Sequence, residues 1–141
     1  MTNPTEDDTE RCHTGHCLCG QIHYRAKGDP IWTAYCHCES CRRATGVPVT
    51  AFACFPVENF TFEGGPARYE SSPGVIRTFC PRCGTPLTYE AADLPGEIHL
   101  LLGSADRPDA MVLAPKKHFF HEERVSWVDI GPDLPLHKPA D

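Results

Sequence analysis

The sequence predicts a mostly β protein made of one small domain. Its 141 residues match the length of a single typical domain. The 14 prolines and 11 glycines favour many turns between short strands and leave little room for long helices. Short apolar runs that alternate with polar residues recur along the chain and are bounded by turn residues. Nine cysteines, most of them closely spaced, indicate that metal ions stabilise a modest hydrophobic core.

The first half of the chain predicts short strands and one helical turn. Residues 1–13 are polar and acidic, so we expect a flexible tail in which Cys12 is a spare thiol. "QIHYRA" and "IWTAYC" read as two strands, and "VPVTAFACF" alternates apolar residues along a third. Between them, "ESCRRATG" is expected to form one helical turn that Gly46 ends. "FTFEGGPARYE" predicts a hairpin around Gly64 and Gly65.

The second half predicts further strands followed by a long irregular segment. "VIRTFC" and "LTYE" read as strands on either side of the turn "PRCGTP". "EIHLLLG" is the most apolar run and is expected to be a central strand. From Pro108 onwards prolines recur, so we expect surface loops with short strands that pack through "KHFF" and "VSWVDI". The predicted domain covers residues 14–136, and residues 137–141 form a second tail.

Charge and patterning argue against several classes of partner. The formal net charge is −6, with 19 acidic against 13 basic residues, which opposes binding to nucleic acid or to an anionic membrane. No segment approaches the roughly 18 apolar residues of a membrane span. The N-terminal residues do not resemble a secretory signal. We therefore expect a cytoplasmic protein, because dense cysteines in a reducing compartment indicate metal or redox chemistry.

Two strand–cysteine–cysteine–strand patterns predict a structural metal site. They are "HCLCGQIHY" and "FCPRCGTPLTY", and a glycine, Gly20 or Gly84, directly follows each cysteine pair. Glycine enters left-handed backbone freely, and that geometry lets N–H groups point at the sulfurs. A redox pair or plain buried thiols are the alternatives. Four thiolates form the closed tetrahedral set of a structural zinc, and the predicted ligands are Cys17, Cys19, Cys80 and Cys83.

The stretch "AYCHCESCRRATG" predicts a second, open metal site on Cys36, Cys38 and Cys41. Three protein ligands leave one tetrahedral position for water or substrate, as in a catalytic zinc site. The alternative is that a fourth protein ligand closes the site. His37 lies between two ligands and would point away, and Cys54 has the surroundings of a buried apolar residue. Four histidines are left open as fourth ligands, namely His16, His99, His118 and His121.

With these cysteines in place, the chain resembles the GFA family, named for glutathione-dependent formaldehyde-activating enzyme. That family's domain also occurs in a centromere protein of animals. The matching pieces run from about His16 to Leu136 and include "GHCLCGQIHY", "CHCESCRRATG", "RTFCPRCGTPLTYE", "IHLLLGSADRPDAMVLAPKKHFF" and "VSWVDIGPDLP". The resemblance implies an Mss4-like, zinc-braced β-sheet fold with two Zn²⁺ per chain. The structural zinc would bind Cys17, Cys19, Cys80 and Cys83, and the catalytic zinc Cys36, Cys38 and Cys41.

The resemblance also implies an activity and a partner. The namesake reaction joins formaldehyde to the thiol of glutathione and gives S-hydroxymethylglutathione; in reverse it is a carbon–sulfur lyase reaction. Three thiolates would leave the second zinc with one net negative charge, so we favour binding of the substrate as a thiolate over activation of the aldehyde oxygen. Arg42 and Arg43 either pair with glutathione carboxylates or form a solvated basic turn. No general base is identified, and a non-catalytic binding module or a thiol redox switch are the rival functions.

Overall fold

The computed structural model describes residues 12–137. Within this range the chain forms short strands and one α-helix, α1, which spans Glu39–Thr45. Four 3₁₀ helices span Val57–Asn59, Leu102–Ser104, Met111–Leu113 and His121–Glu123. The strands are β1 (Cys12–His16), β2 (His23–Lys27), β3 (Trp32–Cys36), β4 (Thr50–Pro56), β5 (Phe60–Glu63), β6 (Ala67–Ser72), β7 (Val75–Phe79), β8 (Pro86–Ala91), β9 (Glu97–Leu101), β10 (His118–Phe119) and β11 (Leu136–His137).

The strands form two sheets. The smaller sheet has the order β1-β2-β5 and the larger has the order β11-β10-β3-β4-β9-β8-β7-β6. Neighbouring strands are antiparallel, except that β10 lies parallel to both β3 and β11. Strand β9, from the apolar run "EIHLLLG", lies between β4 and β8, so the prediction of a central strand is confirmed.

The main hydrophobic core lies between the two sheets. Ile22, directly before β2, and Tyr24 of β2 pack with Phe55 of β4 and Leu100 of β9, and each of these side chains is at most 1% exposed. Burying one such side chain stabilises the fold by about 1.5–3 kcal/mol. Successive residues of a strand point to opposite faces. Phe52, three residues before Phe55 on β4, therefore joins a separate cluster on the other face of the large sheet.

Gly15 on β1 packs closely against the segment that follows β9. It bridges Ala105, and the hydroxyl of Tyr24 forms a hydrogen bond of 2.8 Å with Ser104 beside it. A Cβ atom at position 15 would lie 2.5 Å from the backbone oxygen of Ser104 and would also overlap the Tyr24 ring. Only a residue without a side chain fits here, so the contact between β1 and the segment after β9 depends on this glycine.

Most predicted elements are confirmed. The chain is mostly β and forms one small domain, and α1 follows the cysteine-rich stretch and ends at Gly46, whose φ of 78° is left-handed. The predicted strands lie within one to three residues of β2, β3, β4, β7, β8 and β9. None of the helices within residues 12–137 has the length and apolar character that a membrane span requires.

The predicted hairpin around Gly64 and Gly65 is wrong. Strand β5 pairs with β2 in the small sheet, whereas β6 pairs with β7 in the large sheet. The two glycines therefore lie where the chain crosses from one sheet to the other, and the φ of 94° at Gly64 allows that change of direction.

Both ends of the predicted domain also differ from expectation. Cys12 and His13 belong to β1 rather than to a tail, because they pair with Lys27 and Ala26 of β2. At the other end, His137 belongs to β11 rather than to the second tail. The rest of the predicted N-terminal tail, and residues 138–141, lie outside the described residues. In "VSWVDI", Trp127 is 74% exposed whereas Val125, Val128 and Ile130 are half-buried, so this segment packs only in part. The aromatic pair of "KHFF" does pack against the second cluster.

Candidate metal centres and the adjacent cavity

Four cysteines come together between the two sheets. The turn that connects β1 and β2 carries Cys17 and Cys19, and the turn that connects β7 and β8 carries Cys80 and Cys83. The Sγ atoms of Cys17 and Cys19 are 3.6 Å apart, and those of Cys19 and Cys80 are 3.8 Å apart. Four sulfurs that bind one zinc at about 2.3 Å lie about 3.8 Å from one another. The group, called the quartet below, therefore fits a tetrahedral thiolate site.

Backbone N–H groups donate to sulfurs of the quartet. The amide of Ile22 lies 3.2 Å from Cys17 Sγ, and the amide of Arg82 lies 3.3 Å from Cys80 Sγ. These turns require left-handed backbone, and the glycines after the cysteine pairs supply it with φ of 83° at position 20 and 84° at position 84. Such donors stabilise thiolates over thiols, so the local backbone favours the charge state that binds a metal.

Thr85 connects the two turns of the quartet. Its hydroxyl donates to Cys83 Sγ at 3.2 Å and accepts from the amide of Leu18 at 3.0 Å. The bond from Thr85 is the main reason that the pKa of the Cys83 thiol is lowered to about 5. One threonine thus fixes the position of the Cys83 sulfur in the second turn against the backbone of the first.

The second group of cysteines, called the trio below, is built by the end of β3 and the start of α1. Cys36 is the last residue of β3, Cys38 caps the helix, and Cys41 lies in its first turn. The amide of Cys41 donates to Cys38 Sγ at 3.3 Å, and the Sγ atoms of Cys36 and Cys41 are 3.9 Å apart. This separation also fits one tetrahedral zinc. Within residues 12–137, no other cysteine, histidine or carboxylate joins the trio.

The sulfurs of the trio do not titrate independently. Hydrogen bonds from Cys36 and then Cys41 lower the pKa of Cys38 to about 2. The same contact with Cys38 is the main reason that the pKa of Cys36 is raised. Proton sharing of this kind is expected where several ligand sulfurs are held together.

Arg77 of β7 contacts the trio directly. Its Nη1 and Nη2 atoms each donate to Cys41 Sγ at 3.7 Å, and its Nε donates to the hydroxyl of Ser71 at 3.2 Å. The guanidinium also lies 5.0 Å from the ring centre of Tyr89, its cross-strand partner. A positive charge is therefore held against one sulfur of the trio by two neighbouring strands.

The trio opens onto a cavity of about 820 Å³ on the face of the large sheet that is opposite the main core. The quartet does not line this cavity. Five aromatic residues line it, Trp32, Phe52, Tyr89, Phe119 and Phe120, and so do seven charged residues, Arg43, Arg77, Lys117, Glu39, Asp93, Glu97 and Glu123. A cavity of this size can hold a small ligand next to the three sulfurs.

The two arginines predicted to meet a carboxylate differ in position. Arg43 lines the cavity, but its Nε already donates to Glu39 at 2.9 Å within the same helix. Arg42 does not line the cavity. Arg77 and Lys117, which sequence reasoning missed, are the better placed cations. A charged residue inside the apolar strand "VIRTFC", three residues before Cys80 of the quartet, was the available signal for Arg77.

The alternative fourth ligands lie elsewhere. His37 points away from the trio, as predicted, and its Nε2 lies 2.9 Å from Nδ1 of His118, whose Nε2 donates to the carbonyl of Gly131 at 2.7 Å. His121 completes this group of imidazoles. Burial, followed by the charge of His118, lowers the pKa of His37 to about 4. His37, His118 and His121 therefore support the loop that carries the trio, but they form a group of their own and do not join its sulfurs.

Cys54 and His99 form a further group with Glu97. The Nε2 atom of His99 donates to a carboxylate oxygen of Glu97 at 3.1 Å. Burial, followed by the charge of Glu97, raises the pKa of the Cys54 thiol to about 12. Cys54 is thus a buried, unreactive thiol, as expected. The fourth open candidate, His16, lies 3.8 Å from Asp106 and beside the quartet.

Residues 12–123 match the family model described as "Glutathione-dependent formaldehyde-activating enzyme". This chain belongs to the GFA family. The resemblance seen in the sequence is therefore confirmed over most of the chain. The match includes both cysteine groups, as well as Arg77 and Lys117.

Two known proteins are similar to this GFA chain. A protein of Schizosaccharomyces pombe described as an uncharacterized lyase is 35% identical over 77 residues, which cover 55% of this chain. The match spans 56% of the length of that relative. A crystal structure of a Rhodobacter sphaeroides protein superposes with a TM-score of 0.52 at 15% identity, covering 88% of this chain and 99% of that one. The structural similarity supports the fold.

Proposed function

We propose that this GFA chain is a zinc-dependent carbon–sulfur lyase that acts on a thiol–aldehyde adduct, of the S-hydroxymethylglutathione synthase type. The observation that carries the proposal is the trio, because three sulfurs spaced for one metal ion open onto a cavity that can hold a substrate. Family membership and the description of the yeast relative as a lyase support the reaction class. Glutathione and formaldehyde are the proposed substrates.

The two cysteine groups would have different roles. Cys17, Cys19, Cys80 and Cys83 would hold a structural zinc, since they join the two sheets and do not face the cavity. Cys36, Cys38 and Cys41 would hold a second zinc with one position free for substrate. Zinc at that site would supply a Lewis acid that keeps a thiol deprotonated at neutral pH, where a free thiol of pKa about 8.5 is mostly protonated.

The residues of the cavity would bind and orient the adduct. Arg77 and Lys117 place positive charge beside the trio and at the aromatic wall, where Lys117 lies 5.1 Å from the ring centre of Phe119. Glutathione carries negative charge at neutral pH, so Lys117 would attract its carboxylates and limit its orientation, whereas Arg77 would act on the sulfurs of the trio. In the synthetic direction the substrate sulfur forms a bond to the aldehyde carbon, the carbonyl electron pair moves to oxygen, and that oxygen takes up a proton from solvent.

The proposed sites require reduced cysteines. All nine cysteines, including the seven proposed ligands, are free thiols in the structure. A reducing cytoplasm is therefore the compartment that suits the proposed function.

Replacing Cys38 by Ser tests the role of the trio, and Cys54→Ser is the matched control because Cys54 belongs to neither proposed site. We expect C38S to keep its fold and one zinc by native mass spectrometry, and to lose catalysis of adduct formation and cleavage followed by NMR exchange spectroscopy. C54S should keep two zincs and activity. Full activity of C38S, or equal inactivity of both variants with zinc retained, would contradict the proposal.

A further inference from the structure

We propose that Arg77 compensates the negative charge of the trio through Cys41, and thereby allows an anionic thiolate to approach as the fourth ligand. The inference rests on the proposed function of the trio and adds a residue to it. Arg77 would act as a positioning residue for a ligand sulfur and not as a group that touches the reacting carbon.

The contacts of Arg77 are directed at sulfur. Two nitrogens of the guanidinium lie at the same distance of 3.7 Å from Cys41 Sγ, which is the fork geometry with which arginine binds an anion. The third nitrogen donates to Ser71, and the central carbon of the guanidinium lies over the ring of Tyr89 at 5.0 Å from its centre. These two neighbours, from β6 and β8, fix the direction of the guanidinium, so the contact with Cys41 does not depend on a freely moving side chain.

Arg77 has no carboxylate partner among residues 12–137. The basic side chains that lie within 4 Å of a carboxylate in this part of the chain are His16 beside Asp106, Arg43 beside Glu39, and His99 beside Glu97. Arg77 is half-buried, and a charge in that position needs a counter-charge nearby. The sulfurs of the trio are the anionic group that it contacts.

The net charge that each site would have with a divalent ion bound distinguishes the trio from the quartet. Three thiolates around a divalent ion leave one negative charge, which the guanidinium cancels. Four thiolates around a divalent ion leave two negative charges, and the sulfurs of the quartet receive hydrogen bonds from neutral amides and from the hydroxyl of Thr85. Both groups receive hydrogen bonds, but among the described contacts only the sulfurs of the trio receive them from a positively charged side chain, which offsets the negative charge of that site.

Neutralisation matters for the substrate that the trio would take. A thiolate that approaches a negatively charged centre is repelled at short range, and the repulsion is strong where the surroundings are dry. With Arg77 in place the centre is neutral and the same thiolate is not repelled. A hydrogen-bonded partner of a metal ligand typically changes affinity by about 10- to 100-fold, and we expect an effect of that size on thiol binding.

The experiment uses the full chain loaded with Co²⁺, whose sulfur-to-metal charge-transfer absorption reports on the ligand sulfurs. Wild type, Arg77→Gln, Arg77→Lys and Arg68→Gln are titrated with glutathione and with 2-mercaptoethanol, which has no carboxylate. Arg68 is the matched control, because it is an exposed arginine of the neighbouring strand β6 and lies across from Thr78 rather than beside the trio.

We expect R77Q to bind both thiols about 10- to 100-fold more weakly, and to shift the charge-transfer band to longer wavelength because Cys41 loses two hydrogen bonds. R77K should lie between wild type and R77Q, since it keeps the charge and loses the fork, and R68Q should match wild type. If R77Q fails to fold, R77K tests the inference instead. Its charge-transfer band should then lie at longer wavelength than that of wild type, and it should bind both thiols more weakly than wild type.

Two results would overturn the inference. One is weaker binding of glutathione alone with an unchanged band, which would make Arg77 a carboxylate-binding residue. The other is an affinity of R77Q for both thiols that equals that of wild type. If R77Q does not fold, the same result for R77K overturns the inference. Failure of wild type to bind either thiol would instead contradict the proposed function, so the two failures are distinguishable.

Discussion

Removing one sulfur of the quartet should destabilise the whole domain, whereas removing one sulfur of the trio should not. The quartet joins a turn of the small sheet to a turn of the large sheet, with Cys19 and Cys80 separated by 61 positions in the chain. The trio lies within one short stretch, and Cys36 and Cys41 are only 5 positions apart. The perturbation that tests this difference is Cys80→Ser compared with Cys38→Ser.

The expected size follows from the length of chain that each group closes. A cross-link that closes a loop of about 60 residues stabilises the folded state by about 4 kcal/mol, because it restricts the unfolded chain. A domain of this size is stable by about 5–15 kcal/mol in total, so loss of the quartet would remove a large part of its stability. A loop as short as the trio restricts the unfolded chain little.

The assay is urea unfolding followed by circular dichroism, on proteins purified with zinc and with zinc content measured by native mass spectrometry. C80S should lose about 4 kcal/mol or fail to fold, and C38S should unfold close to wild type with one zinc fewer. C54S controls for the loss of a buried thiol and should change stability by no more than about 1 kcal/mol.

Equal unfolding midpoints for C80S and C38S would refute this reasoning. So would retention of two zincs by C80S, because a quartet that binds without Cys80 would not depend on the connection between the sheets. In either case the stability of the domain would have to come from the apolar core alone.

Three further predictions concern the core and the effect of pH. Gly15→Ala should cost at least about 1–3 kcal/mol in urea unfolding, because the added Cβ meets the backbone oxygen of Ser104. Leu100→Ala should cost about 2–5 kcal/mol in the same assay, since Leu100 is fully buried. Burial lowers the pKa of His99 below its ordinary 6.5, so its contribution to stability is present above that pH and lost as pH falls. Acidification from about pH 7.5 to 5.5 should therefore lower the unfolding midpoint of wild type more than that of His99→Gln.

Both cysteine groups could be predicted from the sequence because the cysteines within each turn are separated by only one or two residues. A pair separated by one or two residues needs only a turn to converge on one ion, and the glycine after each pair of the quartet indicates that turn. The grouping of the two cysteine pairs into one site followed from the four ligands that a structural zinc requires. The local composition of the sequence was therefore enough.

The features that sequence reasoning missed depend on contacts between distant residues. Arg77 reaches Cys41 across 36 positions of the chain, and no local pattern specifies that β7 lies beside the trio. The turn signal at Gly64 and Gly65 was real, but a turn does not determine which sheet the next strand joins. The chain crosses between sheets there, since β5 completes the small sheet and β6 forms the edge of the large one.

The position of each cysteine group in the layers of the fold supports its different proposed role. A metal ion in the quartet would be held by two turns from different sheets, so its loss would remove a connection between the sheets. A metal ion in the trio would be held by a single segment that lines the cavity on the large sheet. A hydrogen bond between His37 and His118 fixes that segment to β10. Ligand exchange at the trio therefore needs no change in the packing of the core. A reactive position is compatible with a stable fold only at the second of these two sites.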